Sequence, residues 1–171
     1  MRTRLGAPGT WPQWCLLAAT FACVLIAQAP LVLNPGYFSH DELQWASFAA
    51  EHIGWYFRDY LWSGLQTFQY RPLTFSLWLW LSDALFGRPH VFHGVIVAWG
   101  AINAVMLATL LRRFGVAPSA ALGGAVVFAL GPYAMHTHGW VGTIGDLIWV
   151  GCALATGLLA QRGRGMALTV A

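Results

Sequence analysis

The sequence predicts an all-α membrane protein, a multi-pass bundle of about four transmembrane helices with two further helices lying in the membrane interface. Of its 171 residues, 58% are hydrophobic and only 9% are charged, whereas a typical soluble domain has about 25% charged residues. Several apolar stretches approach the ~20 residues that a helix needs to cross a bilayer. All nine basic residues are arginines, scattered singly or in pairs. This pattern excludes a basic stripe for nucleic acid and instead indicates membrane orientation.

Four stretches are long and apolar enough to span a bilayer: 11–33, 91–111, 117–135 and 141–160. The first follows Arg2 and Arg4 and ends near Ala27-Gln28-Ala29, an arrangement that also resembles a cleaved signal peptide. Its apolar run is longer than a usual signal core, and Pro30 follows the cleavage position directly. We therefore interpret it as a retained membrane anchor.

A fifth stretch, 72–86, decides the predicted topology. As a helix it would reach only about 22 Å, which is shorter than the ~30 Å hydrocarbon core. We therefore predict an interfacial helix, because this choice places both termini and the Arg112-Arg113 loop in the cytoplasm, where positive charge is favoured. If this stretch were a span, the Arg112-Arg113 loop would lie on the opposite side of the membrane from Arg2 and Arg4.

In this topology, residues 34–90 form one long external loop. Ser39 and Glu42 have the spacing of a capping box, which predicts a helix from there to about Trp62. Its many aromatic rings favour the depth of the lipid headgroups. A second interfacial helix begins at Pro72, a favoured first-turn residue. The external side then collects every acid and every histidine of the chain: Asp41, Glu42, Glu51, Asp59, Asp83, Asp146, His40, His52, His90, His93, His136 and His138.

The tetrapeptide Ser39-His40-Asp41-Glu42 comes shortly after the first predicted span. Titratable groups held against a bilayer are costly unless they are paired or used in function. The sequence therefore predicts that the functional chemistry lies at this point of the chain.

The cysteines give no sign of a metal site or a disulfide framework. Cys15, Cys23 and Cys152 all lie within apolar runs and lack metal-ligand spacing. We interpret them as buried thiols.

Several short motifs follow one another in an order that resembles the amino-terminal part of the GT-C membrane glycosyltransferases. The nearest branch is the protein O-mannosyltransferase-like group, including its tetratricopeptide-bearing relatives. The resemblance covers about residues 10–160. Its landmarks after the acidic pair are Tyr70-Arg71-Pro72-Leu73, Ala84-Leu85-Phe86-Gly87, His93, Asn103, Phe128-Ala129-Leu130-Gly131-Pro132, Met135-His136-Thr137-His138-Gly139-Trp140 and Gly145-Asp146-Leu147.

The chain departs from the family pattern in three respects. Gly131 stands where a histidine is common, and His138 stands where relatives often carry glutamate. Family members also have several hundred residues and many more spans. We therefore expect the 171 residues to be a fragment of a larger GT-C module or a truncated reading frame.

The resemblance implies transfer of a sugar from a polyprenyl phosphate to an acceptor on the external face, by a single displacement with inversion. Asp41 and Glu42 are the candidate catalytic residues, with Asp41 as general base and Glu42 mainly engaged in its helix cap. Arg71 is the candidate partner of the leaving phosphate, because guanidinium donates two parallel hydrogen bonds to phosphate oxygens. Three histidines are candidate contacts to phosphate or acceptor: His93, His136 and His138.

No cofactor is expected. His136 and His138, spaced by two, could share one face of an extended segment and bind a divalent metal. A third ligand is not defined, so the indication of a metal site is weak.

Each candidate residue also has an ordinary structural interpretation. Asp41 and Glu42 are favourable at any helix N-terminus, and Arg71 could be an interfacial anchor. Asn103 is typical of a hydrogen bond between membrane helices. We expect Asp146 to face the bundle interior in a structural hydrogen bond, because an unpaired carboxylate in a span is costly.

Two functional hypotheses therefore remain at this point. The chain is a lipid-dependent glycosyltransferase, complete only with missing spans or a second membrane chain, or it is a small non-catalytic membrane protein that binds a lipid phosphate. The expected partners are a lipid-linked sugar donor and membrane lipids, with no nucleic acid. The resemblance and the arginine-rich composition favour a bacterial inner membrane.

Overall fold

The computed structural model describes residues 12–36, 47 and 72–162 of the chain. Within residues 12–36 and 72–162, every regular element is helical. This confirms the all-α prediction for this part of the protein. The helices are α1 (Gln13–Ala27), α2 (Ala29–Leu33), α3 (Pro72–Leu85), α4 (Pro89–Arg113), α5 (Pro118–Leu130), α6 (Pro132–Gly139) and α7 (Ile144–Arg162), with a 3-10 turn at Val141–Thr143.

Proline and glycine set the helix boundaries. Pro89, Pro118 and Pro132 each lie in the first turn of a helix, where the missing N–H removes no intrahelical bond. The end of α4 is a Schellman motif, in which Gly115 has φ 83° and the Val116 amide donates to the Leu111 carbonyl at 3.1 Å. The chain therefore turns sharply between α4 and α5.

Two or three of these helices are long and apolar enough to cross a membrane. Pro89–Arg113 and Val141–Gln161 qualify by length and composition, and α5 with α6 forms a third span if the pair, bent by 54°, is counted as one. The predicted span 11–33 is interrupted at Gln28, and its longer part, α1, has only 15 residues. The chain thus has the helices of a membrane protein, but the count of about four spans is not confirmed.

Helix α4 lies at the centre of the described part and contacts α1, α2, α3, α5, α6 and α7. One core cluster joins α4 to α1 and α5 through small side chains: Val24, Ala101, Ala104, Ala108, Ala125 and Ala129. A second joins it to α3, the 3-10 turn and α7 through large ones: Trp78, Leu81, Phe92, Ile96, Val141, Ile144 and Leu147.

The predicted interfacial stretch 72–86 forms α3, a helix of 14 residues. Trp78 and Leu81 of α3 are buried in the second core cluster beside Phe92 and Ile96. This helix therefore belongs to the packed bundle, and Trp78 and Leu81 connect it to the N-terminal half of α4.

Candidate functional site

A buried glutamine at the break between α1 and α2 holds three segments together. Nε2 of Gln28 donates to the Ala129 carbonyl at 2.8 Å and contacts Met135 Sδ at 3.5 Å. Its Oε1 accepts from Nδ1 of His138 at 2.6 Å. Ala129 lies in the last turn of α5, where carbonyls lack intrahelical partners. Gln28 thus satisfies one of these carbonyls and links the first helix to both sides of the α5–α6 bend.

His138 is locked against the backbone of α4. A Cβ atom at Gly100 would lie only 2.0 Å from Nε2 of His138, so only glycine leaves room for the ring. Because the amide oxygen of Gln28 can only accept, Nδ1 of His138 carries the proton. His138 is 2% exposed, and both its position and its tautomer are set by neighbours within the chain.

Two histidines in the first turns of α4 fasten the segment after α2. His90 Nδ1 lies 2.8 Å from the Val32 carbonyl, and His93 Nε2 lies 2.9 Å from the Gly36 carbonyl. Since carbonyl oxygens only accept, both ring nitrogens are the donors. The two bonds fix the chain at the point where it enters residues 37–46.

Three of the predicted site residues, Asp41, Glu42 and Arg71, lie outside the described residues, as does the predicted helix from Ser39 to about Trp62. We call residues 37–71, which include these three residues, the predicted catalytic loop. The structure describes the residues that flank it, Gly36 and Pro72.

The structure does not place His136 and His138 on one shared face, as the weakly indicated metal site would require. Both belong to α6, and in a helix residues two apart project in different directions. His138 is buried, while His136 is exposed and stacks edge-on against Trp140, with ring centroids 5.3 Å apart. Across residues 12–36, 47 and 72–162, no group of three histidine, cysteine or acidic side chains could hold a metal ion.

Asn103 links the two longest helices near the middle of α4. Nδ2 donates to the Leu147 carbonyl at 2.9 Å, as the helix-to-helix interpretation predicted. The side chain is 2% exposed, and its Oδ1 has no hydrogen-bond partner within the described part of the chain. A Cβ atom at Gly151 would lie 3.0 Å from that oxygen, so glycine provides the space that the amide occupies.

An open groove of about 610 Å³ lies between α4, the α5–α6 bend and α7. Its walls are mostly apolar, and its aromatic members are Phe128, Tyr133 and Trp149. Asn103 and Asp146 also line it.

The expectation that Asp146 makes an interior hydrogen bond is not met. This carboxylate lies in the first turn of α7 and is exposed. It has no hydrogen bond or ion pair with any described residue.

The α5–α6 bend, at Gly131-Pro132, forms part of the groove wall. The Gly-Pro dipeptide was the sequence signal that could have predicted this bend.

Comparison with known proteins gives no relative: no family model, curated protein or solved structure matches the chain. The resemblance to GT-C enzymes therefore rests on the order of its short motifs alone.

Proposed function

We propose that this chain is an integral membrane glycosyltransferase, or part of one, that transfers a sugar from a polyprenyl phosphate to an acceptor hydroxyl on the external membrane face. In this proposal, α1 with α2 forms one span and α5 with α6 forms another, so that α4 and α7 complete four. The 21 residues from Gln13 to Leu33 would reach about 31 Å as one helix, close to the hydrocarbon thickness.

The observation that carries the proposal is the anchoring of both flanks of the predicted catalytic loop to the same half of α4. His93 holds the Gly36 carbonyl at 2.9 Å, five residues before Asp41. On the other flank, α3 begins directly after Arg71 and packs through Trp78 on Phe92. A general base and a phosphate partner would thus extend from two fixed points on one scaffold, as pre-organised catalysis requires.

The chemistry would be a single displacement at the anomeric carbon. The acceptor oxygen forms the new glycosidic bond while its proton passes to Asp41. The bond to the phosphate oxygen breaks, and its electron pair leaves with the polyprenyl phosphate, whose charge Arg71 stabilises. Glu42 would hold the N-terminus of the helix that carries Asp41.

The contacts of the histidines refine their roles. His93 and His138 use ring nitrogens in bonds to Gly36 and Gln28, so we assign both to positioning the scaffold. His136 is exposed and remains the candidate histidine for contact with the donor or acceptor.

Sugar transfer in reconstituted vesicles tests the proposal. The donor is radiolabelled polyprenyl-phosphate mannose, and the acceptor is a peptide rich in serine and threonine. We expect Asp41→Asn to lower the transfer rate by about 10²–10⁴-fold, the usual contribution of a general base. Asp59→Asn, which removes a carboxylate elsewhere in the same predicted loop, is the matched control and should retain activity. Equal rates for wild type and Asp41→Asn would exclude Asp41 as the base.

The non-catalytic hypothesis has support from the groove, which could hold a lipid chain without any transfer chemistry. The same vesicles distinguish the two functions. Binding of polyprenyl phosphate with no transfer from either mannosyl or glucosyl donors would favour the lipid-binding protein.

A further inference from the structure

The groove between α4, the α5–α6 bend and α7 has the wrong charge for a headgroup that carries only negative charge. Asp146 is its ionisable acid, and none of the arginines in the described ranges lines it. An ammonium group beside this carboxylate would be attracted, whereas a headgroup with only negative charge would be repelled. A carboxylate within a membrane-spanning helix is costly unless it finds a partner, and Asp146 has none among the described residues.

A hydroxyl group in the groove also favours a ligand that donates hydrogen bonds. Thr137 donates its hydroxyl hydrogen to the Tyr133 carbonyl at 2.8 Å, so its oxygen is left to accept. The Oδ1 of Asn103, which has no partner among the described residues, is fully buried beside Gly151 and is not part of the site. A primary ammonium group has three N–H donors and no acceptor, and it therefore complements the Asp146 carboxylate and the Thr137 oxygen.

The aromatic side chains add a second attraction for a cation. Phe128, Tyr133 and Trp149 line the groove and are exposed, Tyr133 by 90% and Trp149 by 71%. The faces of aromatic rings attract ammonium groups, and the apolar walls suit a hydrocarbon chain. A ligand with both features is an amphiphile whose headgroup ends in an ammonium group.

We infer that this groove binds a membrane lipid with a primary ammonium headgroup, of the phosphatidylethanolamine type, with the ammonium on Asp146 and an acyl chain along the apolar wall. The inference rests on described residues of α5, α6 and α7 and does not use Asp41. Failure of sugar transfer therefore leaves this inference intact, and failure of lipid selection leaves the proposed glycosyltransferase intact.

Lipid retention measured by native mass spectrometry tests the inference. The chain is purified in detergent with equimolar phosphatidylethanolamine, phosphatidylcholine and phosphatidylglycerol that share the same acyl chains. We expect wild type to retain the ethanolamine lipid preferentially. Asp146→Asn should lower the ratio of ethanolamine to glycerol lipid about tenfold, the factor that the loss of one moderate charge interaction produces. Asp146→Glu, which keeps the charge, should preserve most of the preference.

Asp83→Asn is the matched control, because Asp83 is an exposed acid of α3 that does not line the groove. Trp149→Leu supplies a second variant, and it should reduce the preference severalfold through loss of the ring face. Equal retention of the ethanolamine and glycerol lipids by wild type would overturn the inference without any variant. So would a preference that survives both Asp146→Asn and Trp149→Leu, or a purified wild-type chain that carries no lipid.

Discussion

The two halves of α4 are held by different kinds of contact. The C-terminal half packs alanine on alanine, with Ala104 and Ala108 in one cluster with Ala125 of α5. The N-terminal half instead uses His90 and His93 as hydrogen-bond donors to carbonyls of the preceding segment. Small residues let helix backbones approach closely and leave little free space. The polar half is therefore the part of the scaffold that can present a functional site.

The two ends of α4 differ in the same way. At its N-terminal end the donors are imidazoles, whereas at its C-terminal end they are guanidinium groups. Arg112 donates to the Val116 carbonyl, and Arg113 donates to the Leu158 carbonyl at 2.7 Å. Arginine is enriched on the cytoplasmic side of membrane proteins. The contrast therefore predicts that the C-terminal end of α4 lies on the cytoplasmic side and its N-terminal end on the external side.

The largest expected effect comes from labelling these two ends with a membrane-impermeant thiol reagent. The test uses a chain in which Cys15, Cys23 and Cys152 are replaced by alanine. Asn34→Cys, near the histidine end, should be modified in intact cells. Phe114→Cys, next to Arg113, should be modified only after the cells are permeabilised. Both positions are exposed, so access to the reagent depends on membrane side alone.

Permeabilised cells are the control, because both cysteines should then react to the same extent. Labelling of Phe114→Cys but not Asn34→Cys in intact cells would reverse the topology. In that case residues 37–71 would not be an external loop, and the proposed reaction on the external face would be excluded.

The second effect concerns the middle of α4, where the two halves of the helix meet and the His138 ring packs on Gly100. Gly100→Ala should destabilise the fold by about 3 kcal/mol, the upper end for overpacking, because the new methyl group would lie 2.0 Å from Nε2. Unfolding by SDS in mixed micelles measures this loss. Gly123→Ala is the control, since nothing lies within 4 Å of its Cβ position. In a helix that change should stabilise by about 0.5–1 kcal/mol.

A double substitution separates steric overlap from a general effect on α4. In the background His138→Ala, the ring is absent, and Gly100→Ala should then cost much less than in wild type. Coupling energies of about 0.5–3 kcal/mol are usual for residues in contact. An additive result, with the same cost in both backgrounds, would contradict the packing of His138 on Gly100.

The sequence predicted the long elements of this bundle well and its polar connections poorly. The stretch 91–111 lies within α4, and 72–86 corresponds closely to α3, because length, apolar content and first-turn prolines are local signals. The break at Gln28 was missed. It lies inside a continuous apolar run, and the groups that satisfy Gln28 lie about a hundred residues away.

The histidine pair shows the same limit. A shared face for His136 and His138 would require an extended segment, whereas Pro132 begins a helix in which the two side chains diverge. Asp146 was expected to be paired because a lone acid in a span is costly. It is exposed in a groove that Gly131 and Pro132 also line, and the sequence pattern did not define the geometry of that bend.

The smallest expected effect concerns the glutamine that joins the first helix to the bend. Gln28→Ala should destabilise the chain by about 2 kcal/mol, because it leaves the Ala129 carbonyl and Nδ1 of His138 buried without their partners. The SDS midpoint measures the change. Gln13→Ala, at an exposed glutamine in the first turn of α1, should leave the midpoint nearly unchanged. If Gln28→Ala unfolds at the same SDS fraction as Gln13→Ala, these bonds add little to stability, and alanine packing along α4 alone would be sufficient to hold α1 in the bundle.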